Sequence, residues 1–215
     1  MTAKKETKSL QLFIAYARED EDIRKKLETH LKGLERRKLI SSWHDGKIIA
    51  GQEWNKRIKD KLQQADIVLF LVSASFIASD YCYEIEMNAA LTRHAEGKTK
   101  VIPIITKPCH WNDEPFAKLQ VLPNEGKAIT TWTNYDMPLS RVATEISKIA
   151  KEVKKEKEEQ INTLNREIEK LNNTKDALEL IIEDRKDVIK NLQMQIKYAD
   201  EKVYDMEKML KKRKK

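Results

Sequence analysis

Short apolar runs and helical-period stripes alternate along the first 150 residues. "LQLFIAYA" (10–17) is an apolar run closing on small and polar residues, which predicts a buried strand followed by a loop. Ile23, Leu27, Leu31 and Leu34 then recur at spacings of four, four and three, one face of an amphipathic helix. That helix has acids in its first turn and bases in its last, as its dipole prefers. "KLISSW" (38–43) predicts a second strand, and "HDGKIIAGQ", with two glycines, an exposed loop. Trp54, Ile58 and Leu62 mark a second helix over 53–64. "ADIVLFLVS" (65–73) holds six uninterrupted apolar residues, the signature of a strand covered on both faces. A helix beginning within "SDYCYEIEMNAAL" (79–91) follows, then "KTKVIPIIT" as a fourth strand, in which Pro103 removes a ladder donor. "KAITTW" (127–132) predicts a fifth strand, and Leu139, Val142, Ile146 and Ile149 a last helix over 138–153. Strands alternating with helices through short connections predict a five-stranded parallel sheet with helices on both faces, an α/β fold. In such sheets ligands bind beyond the carboxyl ends of the strands, so "AREDED", "HDGKIIAGQ" and "SASFIASDYC" become the loops of interest.

From Ile161 the period changes. Ile161, Leu164, Ile168, Leu171, Lys175, Leu178, Ile182, Arg185, Ile189, Leu192, Ile196, Ala199, Val203, Met206 and Leu210 occupy successive a and d positions of a heptad. All but Lys175 and Arg185 are apolar. Such a run predicts a coiled coil, and isoleucine at a with leucine at d favours two parallel strands. "LNNTKD" (171–176) is its weak point, where one helix could stop and a second begin as a hairpin.

Composition agrees with this division. All 5 glycines, 5 prolines, 4 tryptophans and 4 phenylalanines fall at or before Pro138, and from Lys151 onward none of these residues occurs. A stretch without tryptophan, phenylalanine or turn residues, whose aromatics are Tyr198 and Tyr204, closes no core of its own. The expected organisation is therefore a disordered start over 1–7, a globular domain over 8–150 and a coiled-coil helix over 151–215 with a basic end. The net charge of +7 is spread over the chain, and the closing "KKRKK" reads as a solvated helix end rather than a nucleic-acid contact. No apolar stretch approaches the ~20 residues of a membrane span, and "MTAKKETKSL" has no apolar core of a secretion signal. Cys82 and Cys109 form no disulfide framework, which suggests a reduced, cytoplasmic setting. His44, His94, Cys109 and His110 lack metal-ligand spacing.

Three stretches carry a family likeness: "LFIAYAREDE", "WHDGKIIAGQEWNKRIKDKLQQADIVLFLVSASFIASDYCYEIE" and "VIPIITKPCHW…PFAKLQVLPNEGKAITTW". Together they resemble a Toll/interleukin-1 receptor (TIR) domain of the bacterial type over about residues 8 to 150. The resemblance implies a flavodoxin-like sheet of five parallel strands and a glycine-bearing loop after the second strand. It also implies one of two functions. Some TIR domains act only as non-catalytic adaptors or scaffolds, whereas others hydrolyse or cyclise NAD+ with a glutamate in the helix after the third strand. "EMNAAL" fits the tail of that catalytic pattern, which selects Glu86 and leaves Glu84 as the alternative. The spacing departs from the family: Glu86 lies five residues after Tyr81, where many members have four. By the same resemblance Tyr16, Ala17, Arg18, Gly46, Lys47, Ile48, Ser73, Tyr81 and Cys82 are candidate substrate-binding residues. NAD+ would be the substrate, with no further cofactor and no metal.

One carboxylate is enough for this chemistry. Glycoside cleavage ordinarily takes two, one of them to protonate the departing oxygen. Nicotinamide in NAD+ is already cationic and departs neutral, so no general acid is needed. The oxocarbenium-like ribose wants a single acceptor-rich anion in a desolvated cleft. Cys82, one turn before Glu86, lacks the His and Asn or Asp partners of a cysteine nucleophile. The absence of Gly-x-Gly-x-x-Gly and P-loop signatures disfavours dehydrogenases and kinases. The expected function is an NAD+ hydrolase or cyclase activated by self-assembly, in bacterial defence or cell-death signalling. Its expected partners are copies of itself, through TIR–TIR and coiled-coil contacts, and other proteins of either kind.

Overall fold

The computed structural model describes residues 8–48 and 53–213, without the side chains of Trp54, Tyr83, Glu84, Glu125 and residues 210–213. The expected disordered start, Gly51 and the Glu84 carboxylate lie outside what is described. Four strands, β1 (Leu10–Ala15), β2 (Ile40–Trp43), β3 (Ile67–Val72) and β4 (Lys100–Ile105), form one parallel sheet in the order β2-β1-β3-β4. The helices are α1 (Glu21–Arg36), α2 (Trp54–Gln64), the short α3 (Ala74–Ala78), α4 (Asn88–Ala95) and α5 (Asp136–Arg213).

Strand alternation sorts the core into two layers. Leu12 and Ile14 of β1, Ile67, Leu69 and Leu71 of β3, and Ile102 and Ile104 of β4 face one side. There they meet Ile23, Leu27, Leu31 and Leu34 of α1 and Leu139, Val142 and Ile146 of α5. Phe13, Val68, Phe70 and Val72 face the other side, against Ile58 and Leu62 of α2, with Phe76, Met87, Ala90 and Phe116. Every residue of β3 is buried, as a central strand covered on both faces requires.

The sheet has four strands, not the expected five. Residues 127–132 form a 3-10 turn (Ile129–Thr131), and Thr130 N–H donates to Thr106 just beyond the end of β4. The outer edge of β4 is met instead by Leu122, through Ile105 N–H to Leu122 O (2.7 Å) and Leu122 N–H to Pro103 O (2.8 Å). Prolines explain why no ladder grows there. Pro103 turns its donorless nitrogen to that same outer edge, and Pro123 follows Leu122 directly, so the bridge cannot extend. The conflict over Pro103 is thereby resolved, because β4 is an edge strand.

Contacts divide the chain into two units, one running through Lys157 and one from Glu158. The first includes the start of α5, where Ala150 and Val153 are buried and Lys157 pairs with Asp66. In the second, α5 continues without a break through "LNNTKD", and Thr174 Oγ1 donates to Lys170 O (3.0 Å) within the helix. The hairpin alternative does not occur. The described residues of the heptad seam, from Ile161 to Met206, are exposed along this unit.

Candidate active site

Beyond the carboxyl ends of β1 and β3, where the strand order reverses, lies a cleft of about 490 Å³. Its walls come from the three loops that follow β1, β2 and β3. Tyr16, Ala17, Arg18 and Glu19 form one side, Asp45 a second, and Ser75, Ala78, Ser79, Tyr81, Cys82 and Glu86 the third.

The third wall has an unusual backbone. Ser73 accepts a hydrogen bond from Phe76 N–H (3.0 Å) and caps α3, Ser79 is extended, and Tyr81–Met87 then form a π-helix running into α4. A π-turn closes from residue i to i+5, so it takes in one residue more than an α-turn. That extra residue accounts for the family departure. The five-residue step from Tyr81 to Glu86 is one turn here, as a four-residue step is in an ordinary helix, and both residues line the cleft.

Glu86 is 4% exposed. Burial raises its pKa to about 8, the Asp45 carboxylate across the cleft adds to the rise, and a hydrogen bond with Cys82 opposes it. The carboxyl therefore keeps its proton at neutral pH. The Cys82 thiol is pushed up to about 12, first by burial and then by Glu86, so it stays protonated. Its sulfur lies 3.6 Å from Tyr16 O, a donor position that ties the π-helix to the end of β1. Tyr16, held at about 12 by burial and by Asp45, donates its hydroxyl to Asp45.

Behind the cleft a polar cluster fixes the turn that carries Asp45. Arg24 is buried, with its guanidinium 5.1 Å from the Tyr16 ring centre and Nη1 3.0 Å from His44 Nε2, and it pairs with Glu28 and Glu21. Burial and then Arg24 lower the His44 pKa, leaving a neutral imidazole that accepts from the arginine. Gly46 is required by this packing, because a Cβ there would stand 2.9 Å from His44 Cε1.

Not every expected binding residue reaches the cleft. Lys47 Nζ turns back to Ser42 O (2.6 Å), and Ile48 packs against the core layer containing α2. Ser73 is wholly buried and donates to Asp20 Oδ2 (2.5 Å), whose Oδ1 pairs with Lys107 Nζ (2.7 Å). Its position is structural, clamping the ends of β1, β3 and β4. Conversely, Asp45, Glu19, Ser75 and Ser79 line the cleft without having been singled out. Asp45 stands in the loop after β2 that topology made a loop of interest, but nothing in the local sequence pairs it with Glu86. Among the described residues no cluster of histidine, cysteine or carboxylate side chains could hold a metal ion, and no helix is long and apolar enough to cross a membrane.

Comparison with known proteins bears on the same region. An uncharacterized protein, y4lF, of Sinorhizobium fredii (strain NBRC 101917 / NGR234) is 45% identical over 135 residues, 63% of this chain. The chain spans only 42% of that relative's length. The TIR domain of the Toll-related receptor TRR-2 from Hydra magnipapillata is 21% identical, with a TM-score of 0.38 over 48% of this chain and 78% of its own. The TIR domains of the activated Roq1 resistosome, which recognises the effector XopQ, are 18% identical, with a TM-score of 0.40 over 68% of this chain and 82% of theirs. A sequence-family model of the TIR domain matches residues 12–135, more than half the chain and the whole of the cleft, and the protein is accordingly a member of the TIR-domain family.

Proposed function

We propose that this TIR domain cleaves the nicotinamide–ribose bond of NAD+, with Glu86 as the acid that meets the ribose and with self-assembly raising the rate. The reading rests on one observation above the rest: a nearly buried glutamate with a raised pKa lines the cleft at the switch point of the sheet. Two readings of the sequence, catalyst and adaptor, were open; a solvated Glu86 would have favoured the second.

The mechanism follows from charge. The resting site holds a protonated Glu86 facing Asp45. A pyridinium nucleotide brings a positive charge into this low-dielectric space and draws Glu86 toward its carboxylate form. The carboxylate accepts hydrogen bonds from the ribose hydroxyls and stabilises the oxocarbenium charge as neutral nicotinamide departs. Water then adds to the anomeric carbon and gives up a proton, which a carboxylate of raised basicity accepts and later releases to solvent. The products are ADP-ribose, nicotinamide and one proton. When a group of the nucleotide itself takes the place of water, the product is cyclic. Arg18, exposed at the rim, suits the pyrophosphate as a two-pronged donor.

The direct test is incubation of concentrated purified protein with NAD+ and measurement of released nicotinamide. Turnover is expected; its absence at high concentration and with crowding agents would leave the adaptor reading. A further expectation concerns pH. Because the reacting form is the Glu86 carboxylate, kcat/KM should rise with pH toward the acid's pKa of about 8. Asp45→Asn removes an anion that raises that pKa, so the rising limb should move to lower pH. A limb that stays in place would separate the two carboxyls.

A further inference from the structure

The exposed seam of the second unit has flanks as well as a centre, and the flanks are informative about how two copies would meet. With Ile161 at a, the e positions include Glu179 and Lys186, and the g positions include Glu167, Ile181, Val188 and Lys202. In a parallel, in-register pair each a and d residue faces its own copy. Lys175 would then stack on Lys175 and Arg185 on Arg185, within the seam. The g residues would face e residues five positions on, setting Ile181 against Lys186 and Val188 against Gln193. Only Lys202 with Glu207 would gain an opposite charge.

We propose that this helix pairs with a second copy of itself in antiparallel orientation, about a two-fold axis midway between Ile182 and Arg185. In that arrangement a residues face d residues, e faces e and g faces g. Lys175 meets Leu192 of the second copy instead of another lysine, and Arg185 meets Ile182. Along the flanks Glu179 meets Lys186, Glu167 meets Lys202 and Ile181 meets Val188, each twice by symmetry. Ile181 and Val188 are 54% and 45% exposed in the single chain, and this register covers both with apolar partners. One like-charge contact is created, Glu158 with Glu207 at each end of the coil. Sliding the register by one heptad either way sets Lys186 on Lys186 or Glu179 on Glu179, so the charges select this alignment.

The proposal is independent of the NAD+ reading and bears on its geometry. The two Glu158 residues, where the helical unit begins, would lie roughly 75 Å apart along the coil at ~1.5 Å rise per residue. The pair then sets the points of attachment of its two TIR domains at opposite ends of the coil.

Charge reversal in the full-length chain tests it. E179K and K186E should each weaken dimerisation by about tenfold in sedimentation equilibrium, because two flank pairs become repulsive. An equimolar mixture of the two variants should recover the lost affinity, since all four flank contacts are again between opposite charges. The intrachain pairs Lys175–Glu179 and Glu183–Lys186 change equally whether the variants are separate or mixed. In a parallel coil residue 179 faces Thr174 and residue 186 faces Ile181, so the mixture would show no recovery and the proposal would fail. A spin label at Arg166→Cys, in a Cys109→Ser background with Cys82 buried, should report an intermolecular distance of about 50 Å. A distance near 20 Å, or a chain that stays monomeric at tens of micromolar, would also overturn it.

Discussion

Glu86→Gln should lower nicotinamide release by at least about 10²–10³-fold while leaving the domain folded and, at alkaline pH, more stable than the wild type. The loss follows from the role assigned to the acid: glutamine keeps the shape but supplies no negative charge to the oxocarbenium ribose. The gain in stability has the opposite origin. Glu86 is buried, and its pKa stands near 8 against an ordinary 4.5. Below about pH 4.5 the acid is protonated in folded and unfolded chains alike, and the variant gains nothing. Between 4.5 and 8 the unfolded chain ionises first, so wild-type stability falls as pH rises, and the glutamine variant does not share that fall. The difference should reach about 3 kcal/mol at pH 7 and about 5 kcal/mol above pH 9, both as orders of magnitude. Urea denaturation of both proteins at pH 5, 7 and 9 reads it directly. Equal midpoints at pH 9 would mean that the carboxyl is solvated and the basis for the site is lost. Retention of turnover in this variant, with loss in Glu84→Gln, would transfer the role to the other glutamate.

Period was the reliable guide to the sheet and its helices. The alternation that sends Leu12 and Ile14 to one layer and Phe13 and Ala15 to the other is visible in eight letters, as is the stripe of α1. The fifth strand failed because β-branched residues in "KAITTW" fit a strand locally, while the decision lay elsewhere, with Pro103 and Pro123 removing donors from the edge it would join. At the site, the odd Tyr81-to-Glu86 spacing was legible but its cause was not. An inserted residue can be absorbed in a loop or as a π-turn, and only the backbone tells which. Lys47 looked like a cleft residue because its loop borders the cleft, yet its ammonium is turned back by Ser42 O. Asp45 was missed for the converse reason: its effect on Glu86 is electrostatic, acting through space between residues 41 positions apart, with no local signature.

The seam of the second unit should matter to turnover in dilute solution and cease to matter in concentrated solution. Ile182→Asp combined with Ile189→Asp places two carboxylates per chain in the centre of the seam, where both native side chains are about half exposed in the single chain and would be covered by a partner. Neither residue belongs to the unit carrying the cleft, so folding of the TIR domain should be unaffected. If domain–domain contacts raise the rate, a linker that joins two weakly associating domains to two clusters multiplies their effective affinity by about 10²–10⁴. The rate per chain at about 100 nM should accordingly drop by about 10²-fold in the double variant, and should converge on the wild-type rate as concentration or crowding rises. If the helices pair antiparallel, with the points of attachment of the two domains far apart, wild-type activity should also climb more steeply with concentration than dimer formation itself. A rate per chain independent of concentration in both proteins would mean that each domain turns over alone, and the long helix would then answer to some purpose other than catalysis.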